Sequence, residues 1–392
     1  MMDKQLTPNE LALELHKKYG GKITTVLRDQ SELTRVELSA YYSPGVGAVS
    51  KAIAADPALL PTYTWTNNLV AVISDGSAVL GLGNLGPEAA MPVMEGKSLL
   101  FKHFAGIDSI PIILNAHSAD DIVRTIEAIA PSFGAINLED IAAPICFEVE
   151  DRLKSTLDIP VMHDDQHGTA VVTLAGLINA CKVTGRTFDD LKIVIVGAGA
   201  AGVAIAKLIK EYSQRLYPDG DQGPSMFAVD SKGIISPDRT DLNESKKLLL
   251  QFTNKLGISG EMEEVLAGAN VFIGVSQAGV LSIDLLKIMD NDPIIFALAN
   301  PDPEILPDVA KQAGAAVVAT GRSDFPNQVN NAIAFPGIFR GALDNKVTAI
   351  TDDHKIAAAE VIASLVENPT ADEIVPSVFN EALVPRIADV IR

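Results

Sequence analysis

Hydrophobic positions in this chain follow two patterns that alternate along its length. Short uninterrupted apolar runs, typical of strands buried on both faces, are separated by stretches with the spacing of an apolar helix face. This alternation predicts an α/β fold with parallel sheets covered by helices. The predicted strands cover residues 69–74, 110–114, 134–138, 159–163, 191–196, 226–230, 271–275, 294–299 and 315–320.

The helical pattern divides the chain into three predicted parts. We expect an N-terminal α/β domain at 1–165, a Rossmann-type doubly wound parallel-sheet domain at 166–345 and a helical C-terminal segment at 346–392. Ser118 is a candidate N-cap for a helix at 119–130, and Thr351 or Asp352 for the helix that opens the C-terminal segment. Further helices are predicted at 9–19, 87–104 and 200–212, and a loop rich in Gly, Pro and polar residues at 213–225.

A glycine motif lies between a predicted strand and a predicted helix. Residues 192–202 read KIVIVGAGAAG, in which Gly197, Gly199 and Gly202 fit the pattern GxGxxG. The first glycine allows a tight turn, the second a close approach to a pyrophosphate, and the third close packing of helix on strand. Ala200 and Ala201 begin the helix whose N-terminus would face the anion. The motif predicts a site for NAD or NADP.

The choice between the two nucleotides depends on the end of the next predicted strand. Asp230 ends that strand, where a carboxylate would accept hydrogen bonds from the ribose hydroxyls of the cofactor. A carboxylate also repels a 2′-phosphate, so Asp230 favours NAD. Ser231 and Lys232 follow directly and could instead receive that phosphate, which leaves NADP as the alternative.

Composition excludes several classes of protein. The chain has 392 residues, with 31 Lys and Arg against 50 Asp and Glu, a net charge of −19. This balance argues against binding to nucleic acid or to a membrane surface. The only cysteines, Cys146 and Cys181, form no CxxC pair, which indicates a reducing compartment and no thiolate metal site. With no signal peptide visible at the start, we expect a cytoplasmic protein.

Acidic pairs follow two of the predicted strands. Glu139 and Asp140 end one run, and Asp164 and Asp165 end the next. Carboxyl ends of parallel strands border the ligand crevice of α/β folds, and oxygen ligands suit Mg²⁺ or Mn²⁺. Such pairs are also common as solvated turns or helix caps, so these residues alone leave the metal site open. His163 and His167 flank the second pair, and we favour structural roles for both over a zinc site.

Lys97 and Tyr42 are two further candidates whose roles stay open at this point. Lys97 lies in an apolar helix, where burial lowers the pKa of an ammonium group as a general base requires. An ordinary surface lysine is the alternative. Tyr42 stands before the turn Ser43-Pro44-Gly45 and would equally suit a capping aromatic.

Taken in order, the motifs resemble those of the malic enzymes, most closely the short bacterial form. They are YSPGVG, LGLGNLG, MPVMEGK, INLED, HDDQHGTA, the GxGxxG turn, ANP at 299–301 and FPNQVNNAIAFPGIFRGALD at 325–344. The resemblance spans nearly the whole chain and implies that residues 1–165 are the substrate domain for a small-molecule substrate. It implies oxidation of L-malate with NAD(P) and decarboxylation to pyruvate, with Mg²⁺ or Mn²⁺ as the metal, and we expect a homodimer.

Catalytic roles follow from the resemblance position by position. Lys97 matches the base that acts on the substrate hydroxyl, and Tyr42 matches the tyrosine that protonates the enolate carbon. Asp164 matches a carboxylate beside the lysine, where it would raise the pKa that burial lowers.

Binding roles follow in the same way. Glu139, Asp140 and Asp165 match the metal ligands. Asn300 and Asn331 match asparagines near the substrate carboxylate and the nicotinamide.

The sequence departs from the large eukaryotic members at one position. Where they carry an arginine that holds a substrate carboxylate, this chain has Val79, and Arg322 is a candidate replacement. Two other functions remain open: an oxaloacetate decarboxylase of the same family, and a non-catalytic NAD-binding protein.

Overall fold

Two separate sheets organise the chain. The computed structural model describes residues 7–28, 30–79, 82–219 and 223–392. The first sheet is fully parallel, in the order β2-β1-β3-β4, and the second has the order β10-β9-β8-β5-β6-β7 with only β7 antiparallel. The strands are β1 (Leu69–Ser74), β2 (Asp108–Ile113), β3 (Ala135–Leu138), β4 (Val161–His163), β5 (Lys192–Val196), β6 (Ser225–Asp230), β7 (Gly233–Ile234), β8 (Val271–Gly274), β9 (Ile294–Ala297) and β10 (Val317–Thr320).

Helices connect the strands and cover both faces of each sheet. They are α1 (Pro8–Tyr19), α2 (Arg35–Tyr41), α3 (Val46–Ala55), α4 (Leu60–Tyr63), α5 (Pro87–Ala105), α6 (Ala119–Ile129), α7 (Ile145–Thr156), α8 (Asp164–Thr184), α9 (Ala200–Leu216), α10 (Glu244–Leu249), α11 (Met262–Leu266), α12 (Ile283–Lys287), α13 (Pro307–Gln312), α14 (Phe335–Asp344), α15 (Asp352–Ser364) and α16 (Leu383–Ala388). No helix among the described residues is both long and apolar enough to cross a membrane.

The predicted α/β fold is confirmed. All nine predicted strands are present with ends shifted by at most two residues, while the two-residue β7 was missed because so short a strand carries no periodic signal. Ser118 caps α6 by accepting from the N–H of Asp121, and Thr351, of the two candidates, caps α15.

The predicted loop at 213–225 was wrong at its start. Helix α9 continues to Leu216 because the first residue that disfavours a helix is Pro218, and Ser213 is buried. Residues 220–222 of that loop lie outside the described part of the chain, as do Leu80 and Gly81 of the LGLGNLG motif.

The largest core lies between the two sheets. It joins one face of β1 to one face of β5 through side chains of α5, α8, α9, α14, α15 and α16. Helix α8 is central to this core, since most of its residues are buried and it packs against both α9 and α15. It begins at Asp164 and runs without a break to Thr184, so the boundary predicted at residue 166 falls inside a helix.

The first four helices form an N-terminal arm (residues 7–28 and 30–65) without a core of its own. None of the residues of α1, α2, α3 or α4 is buried. Large apolar side chains of the arm are mostly exposed, among them Leu13, Val26, Leu27, Leu33 and Val36. An apolar surface of this extent is typical of an interface with another molecule.

Candidate active site

The two acidic pairs form one cluster. Glu139 and Asp140 follow β3, and Asp164 and Asp165 open α8 directly after β4. Strands β3 and β4 are paired neighbours, so their carboxyl ends lie side by side. One ligand oxygen from each of Glu139, Asp140 and Asp165 lies within 4.8 Å of the others. We call Glu139, Asp140, Asp164 and Asp165 the acidic cluster; all but Asp165 are buried.

Backbone and amide groups hold the cluster in shape. Asp140 has a φ of 53°, in the left-handed region that Asp tolerates better than most residues. Its N–H donates to Oδ2 of Asp165 at 2.7 Å, which ties the two strand ends together. Nδ2 of Asn137 donates to Oε2 of Glu139 at 3.1 Å from within β3.

Helix α5 brings Lys97 into the cluster. The Lys97 ammonium lies 2.9 Å from Oε1 of Glu139 and also forms an ion pair with Asp164. The ring of Phe335, on α14, lies beneath the ammonium at 4.6 Å from Nζ to the ring centroid. Only 7% of Lys97 is exposed. Lys97 is therefore held by two carboxylates and one aromatic face.

The pKa of Lys97 is raised overall, although burial alone would lower it. Burial lowers the pKa, but the charges of Asp164, Glu139 and Asp165 together raise it well above the usual value for lysine. The ammonium form is therefore the stable one beside the acidic cluster. A general base needs the neutral form, so an additional positive charge is required before Lys97 can accept a proton.

Negative charge in the cluster exceeds what Lys97 can balance. Burial, and then the charge of Asp165, raises the pKa of Glu139 well above its usual range, although Lys97 opposes the rise. Four carboxylates face one ammonium, and the three that share a 4.8 Å region supply only oxygen donors. Oxygen-only sites suit Mg²⁺ or Mn²⁺. The residues present therefore fit a hard divalent cation.

The two histidines near the cluster have different surroundings. His163 ends β4 and is fully buried, with Nε2 at 3.8 Å from Oδ2 of Asp165. His167 lies in the first turn of α8, with Nε2 at 2.8 Å from Oε2 of Glu150.

Tyr42 lies apart from this site. It is the C-cap of α2 in the N-terminal arm and is 71% exposed. Among the described residues, no hydrogen bond, ion pair or ring contact joins its side chain to Lys97. In the described part of the chain, the two residues that the resemblance pairs in catalysis are therefore not in contact.

The two asparagines, Asn300 and Asn331, have different neighbours. A Cβ at Gly168 would lie 1.9 Å from Oδ1 of Asp164 and 2.9 Å from Cβ of Asn331, so Asn331 lies beside the cluster. Asn300 follows β9 and lies beside Gly321, since a Cβ at Gly321 would lie 3.0 Å from Nδ2 of Asn300.

Arg322, the candidate cation for a substrate carboxylate, already pairs with carboxylates of the chain. Arg322 donates to both carboxylate oxygens of Asp324 at 2.8 and 2.7 Å and also pairs with Asp302. Val79, at the position of the arginine of the larger enzymes, is buried.

A second crevice opens where the order of strands reverses. Strand β5 has β6 on one side and β8 on the other, the arrangement at which doubly wound sheets bind ligands. Gly197 has a φ of 126°, and a Cβ there would lie 2.6 Å from O of Val275. A Cβ at Gly202 would lie 1.9 Å from O of Gly197. Both positions therefore require glycine.

Open space lies in front of helix α9. Gly199 is its N-cap, and Ala200 and Ala201 are its first residues. Apart from the two chain neighbours, no atom of the described residues lies within 4 Å of the place that a Cβ at Gly199 would take. A phosphate group could approach the helix N-terminus there, as dinucleotides do in this motif.

Asp230 is not a free carboxylate. Arg239 donates to both of its oxygens, at 2.7 and 3.0 Å, and Lys246 lies 2.6 Å from Oδ2. Although burial raises it, these hydrogen bonds lower the pKa of Asp230 to about 2. The preference for NAD that was expected from Asp230 stays a prediction, and it did not take these two cationic partners into account. Sequence analysis missed both partners because they lie beyond the motif, on a later loop and on α10.

Replacing Asp165 with Asn tests the charge balance of the cluster. The amide oxygen can still accept from Asp140, while the repulsion of Glu139 is removed. In EDTA the variant should melt about 2 °C above the parent, the shift of a stabilisation on the order of 1 kcal/mol. Mn²⁺ should raise the melting temperature of the parent more than that of the variant, as followed by circular dichroism.

The exposed Asp158 provides the matched control. Asp158→Asn should behave like the parent in both buffers. An Asp165→Asn variant that melts below the parent in EDTA and responds equally to Mn²⁺ would contradict the charge balance proposed for the cluster.

Comparisons with known proteins identify the family. A family model described as "Malic enzyme, N-terminal domain" matches residues 20–154, and "Malic enzyme, NAD binding domain" matches residues 166–386. The bifunctional malic/malolactic enzyme of Bacillus subtilis is 51% identical over 97% of this chain and 91% of its own length. The NADP-dependent malic enzyme of Rhizobium meliloti is 50% identical over 93% of this chain and 46% of its own.

A solved structure agrees with these relatives. The crystal structure of the NAD-dependent malic enzyme of Thermotoga maritima matches with a TM-score of 0.91 at 45% identity, covering 97% of this chain and 98% of that chain. Sequence and fold therefore agree over nearly the whole length, and the chain belongs to the malic enzyme family.

Proposed function

We propose that the chain oxidises L-malate with NAD or NADP and decarboxylates the product to pyruvate and CO₂. The observation that carries this proposal is the contact of Lys97 with Glu139 and Asp164 inside a cluster that has excess negative charge. A candidate base, a candidate cation site and a nucleotide-binding turn thus occur in one chain. Relatives with the name malic enzyme support the same reaction.

The metal site is formed by Glu139, Asp140 and Asp165. When bound there, Mg²⁺ or Mn²⁺ supplies Lewis acidity toward substrate oxygens and a positive charge that lowers the pKa of Lys97. Asp164 does not share the three-residue site and remains the partner of Lys97.

Lys97 is the proposed base. Asp164 accepts a hydrogen bond from its Nζ and Glu139 forms an ion pair with it, and the ring of Phe335 covers it. In its neutral form Lys97 takes the proton of the substrate hydroxyl as the hydride leaves for the nicotinamide. Asn331, beside the cluster, and Asn300, after β9, contact the substrate carboxylate and the nicotinamide.

Tyr42 is the proposed acid that protonates the enolate carbon, and we propose that it acts in the active site of a second copy of the chain. The tyrosine is exposed on an arm whose apolar side chains lack a core. We infer that two chains associate through their arms as a homodimer. The association would cover the apolar surface and bring Tyr42 of one chain toward Lys97 of its partner.

The reaction is tested by following reduced nicotinamide with malate, NAD or NADP, and Mn²⁺. The parent should produce NAD(P)H and pyruvate together, and Lys97→Ala should lose about 10²–10⁴-fold in malate oxidation, as is usual for a general base. Small amines that fill the vacated space should restore part of the activity.

Controls in the same experiment separate the alternatives. Lys102→Ala, an exposed position on the same helix, should retain parental activity. Pyruvate released from oxaloacetate without any NAD(P)H from malate would indicate the decarboxylase instead. Lactate formed from malate would indicate malolactic activity, which the name of the Bacillus relative includes. If none of these products forms, a non-catalytic nucleotide-binding protein is the remaining alternative.

Cofactor choice is tested at the end of β6. Since Arg239 and Lys246 neutralise Asp230, we expect kcat/KM for NADP to lie within about tenfold, ~1.4 kcal/mol, of that for NAD. Lys232 is largely exposed and pairs with Asp241. Lys232→Ala should lower kcat/KM for NADP and spare NAD. A parent strictly specific for NAD, whatever stands at residue 232, would contradict this expectation.

Subunit association is tested by mixing two inactive proteins. Tyr42→Phe and Lys97→Ala chains, mixed and allowed to exchange subunits, should regain activity, because one site of each mixed dimer then contains both residues. Sedimentation should show a dimer for the parent. A monomeric active parent, or mixtures as inactive as their components, would refute the shared site.

A further inference from the structure

A buried carboxylate outside the acidic cluster contacts residues 163–167, where β4 ends and α8 begins. We call this segment the β4–α8 turn; it carries Asp164 and Asp165 of the cluster. Glu150 lies on α7 and is only 3% exposed. Oε1 accepts from the backbone N–H of His163 at 2.9 Å and lies 2.8 Å from Nζ of Lys154. Oε2 lies 2.8 Å from Nε2 of His167 and 3.4 Å from Nε2 of Gln166. A carboxylate only accepts hydrogen bonds, so both of these nitrogens are donors.

In the sequence, Asp164 and Asp165 lie between the three residues of the turn that donate to Glu150. His163 precedes Asp164 and Asp165, and Gln166 and His167 follow them. Glu150 therefore binds the junction of β4 and α8 on both sides of the two acidic residues. Four nitrogen atoms, including the ammonium of Lys154, surround the carboxylate, so Glu150 acts as an ionised acceptor, and these neighbours hold its pKa well below the usual range in spite of burial.

The turn needs such a restraint because its acidic side chains repel their neighbours. Asp164 and Asp165 lie against Glu139 and Asp140, and like charges in a buried site favour separation. The bonds to Glu150 use the backbone N–H of His163 and the side chains of Gln166 and His167, so they occupy no oxygen of Asp164 or Asp165. They restrain the backbone without occupying the ligand atoms.

We infer that Glu150 is a positioning residue, which fixes the β4–α8 turn so that Asp165 meets the other two metal ligands and Asp164 meets Lys97. The inference deepens the proposed function and rests on its metal site. Groups that orient metal ligands from outside commonly change metal affinity 10–100-fold when they are replaced.

The test is Mn²⁺ binding to the full-length chain, followed by the electron paramagnetic resonance signal of free Mn²⁺ without substrate or turnover. Glu150→Gln places an amide N–H against a donor of the turn and should weaken Mn²⁺ binding by about 10–100-fold. Binding of NADH, followed by its fluorescence, should be unchanged, because the nucleotide turn lies in the other sheet. A role in general stability would affect both ligands.

Glu148→Gln is the matched control, since Glu148 lies on the same helix, is exposed and pairs with Arg152. It should bind Mn²⁺ like the parent. Glu150→Gln with parental Mn²⁺ affinity, or with equal losses for Mn²⁺ and NADH, would overturn the inference.

Two further results are informative. If Glu150→Gln does not fold, His167→Ala removes one donor and retains the carboxylate; it should weaken Mn²⁺ binding several-fold, and parental affinity would overturn the inference. A parent that binds no Mn²⁺ would instead refute the metal site of the proposed function, and the role of Glu150 with it. That outcome differs from a parent and a variant that bind equally.

Discussion

Four carboxylates around one ammonium group, three of them buried, are the constraint on which this structure depends. Buried charges are costly unless each has partners, and like charges at this distance repel. The backbone N–H of Asp140 and the amide of Asn137 donate hydrogen bonds to these carboxylates, and the ammonium of Lys97 forms an ion pair with them. These groups come from β3, the loop after it and α5, while Asp164 and Asp165 come from the β4–α8 turn, so the elements must meet at one point.

Helix α8 connects that point to the rest of the molecule. Its first two residues, Asp164 and Asp165, belong to the acidic cluster, and its remaining turns fill the core between the two sheets. Gly168 is needed one turn later because a side chain there would overlap Asp164 and Asn331. The packing of the core thus sets the position of the cluster, and a displacement of α8 would move two of its four carboxylates.

Much of this arrangement could be predicted from the sequence because it depends on short-range patterns. Apolar runs predicted the strands, and acidic pairs after neighbouring strands meet wherever those strands are paired. The direction of the Lys97 pKa could not be predicted, since it depends on the distances to three carboxylates. The pairing of Asp230 with Arg239 and Lys246 was likewise invisible, because the loop and helix that carry these residues had no motif.

Two other features show where sequence patterns carry less information. Tyr42 matches a family motif, but a motif does not state whether one chain completes the site, and here the side chain is exposed. Glu150 did leave a signal that was not used. It lies on the apolar face of α7 with Cys146, Val149 and Leu153, and a charged residue on such a face requires buried partners.

The central claim, that the acidic cluster is a divalent-cation site beside Lys97, is tested most directly by anomalous diffraction from crystals grown with Mn²⁺. The account predicts one strong peak within coordination distance of carboxylate oxygens of Glu139, Asp140 and Asp165, with Lys97 still bound to Asp164. A well-ordered cluster without a peak at saturating Mn²⁺, or a peak bound elsewhere in the chain, would contradict it.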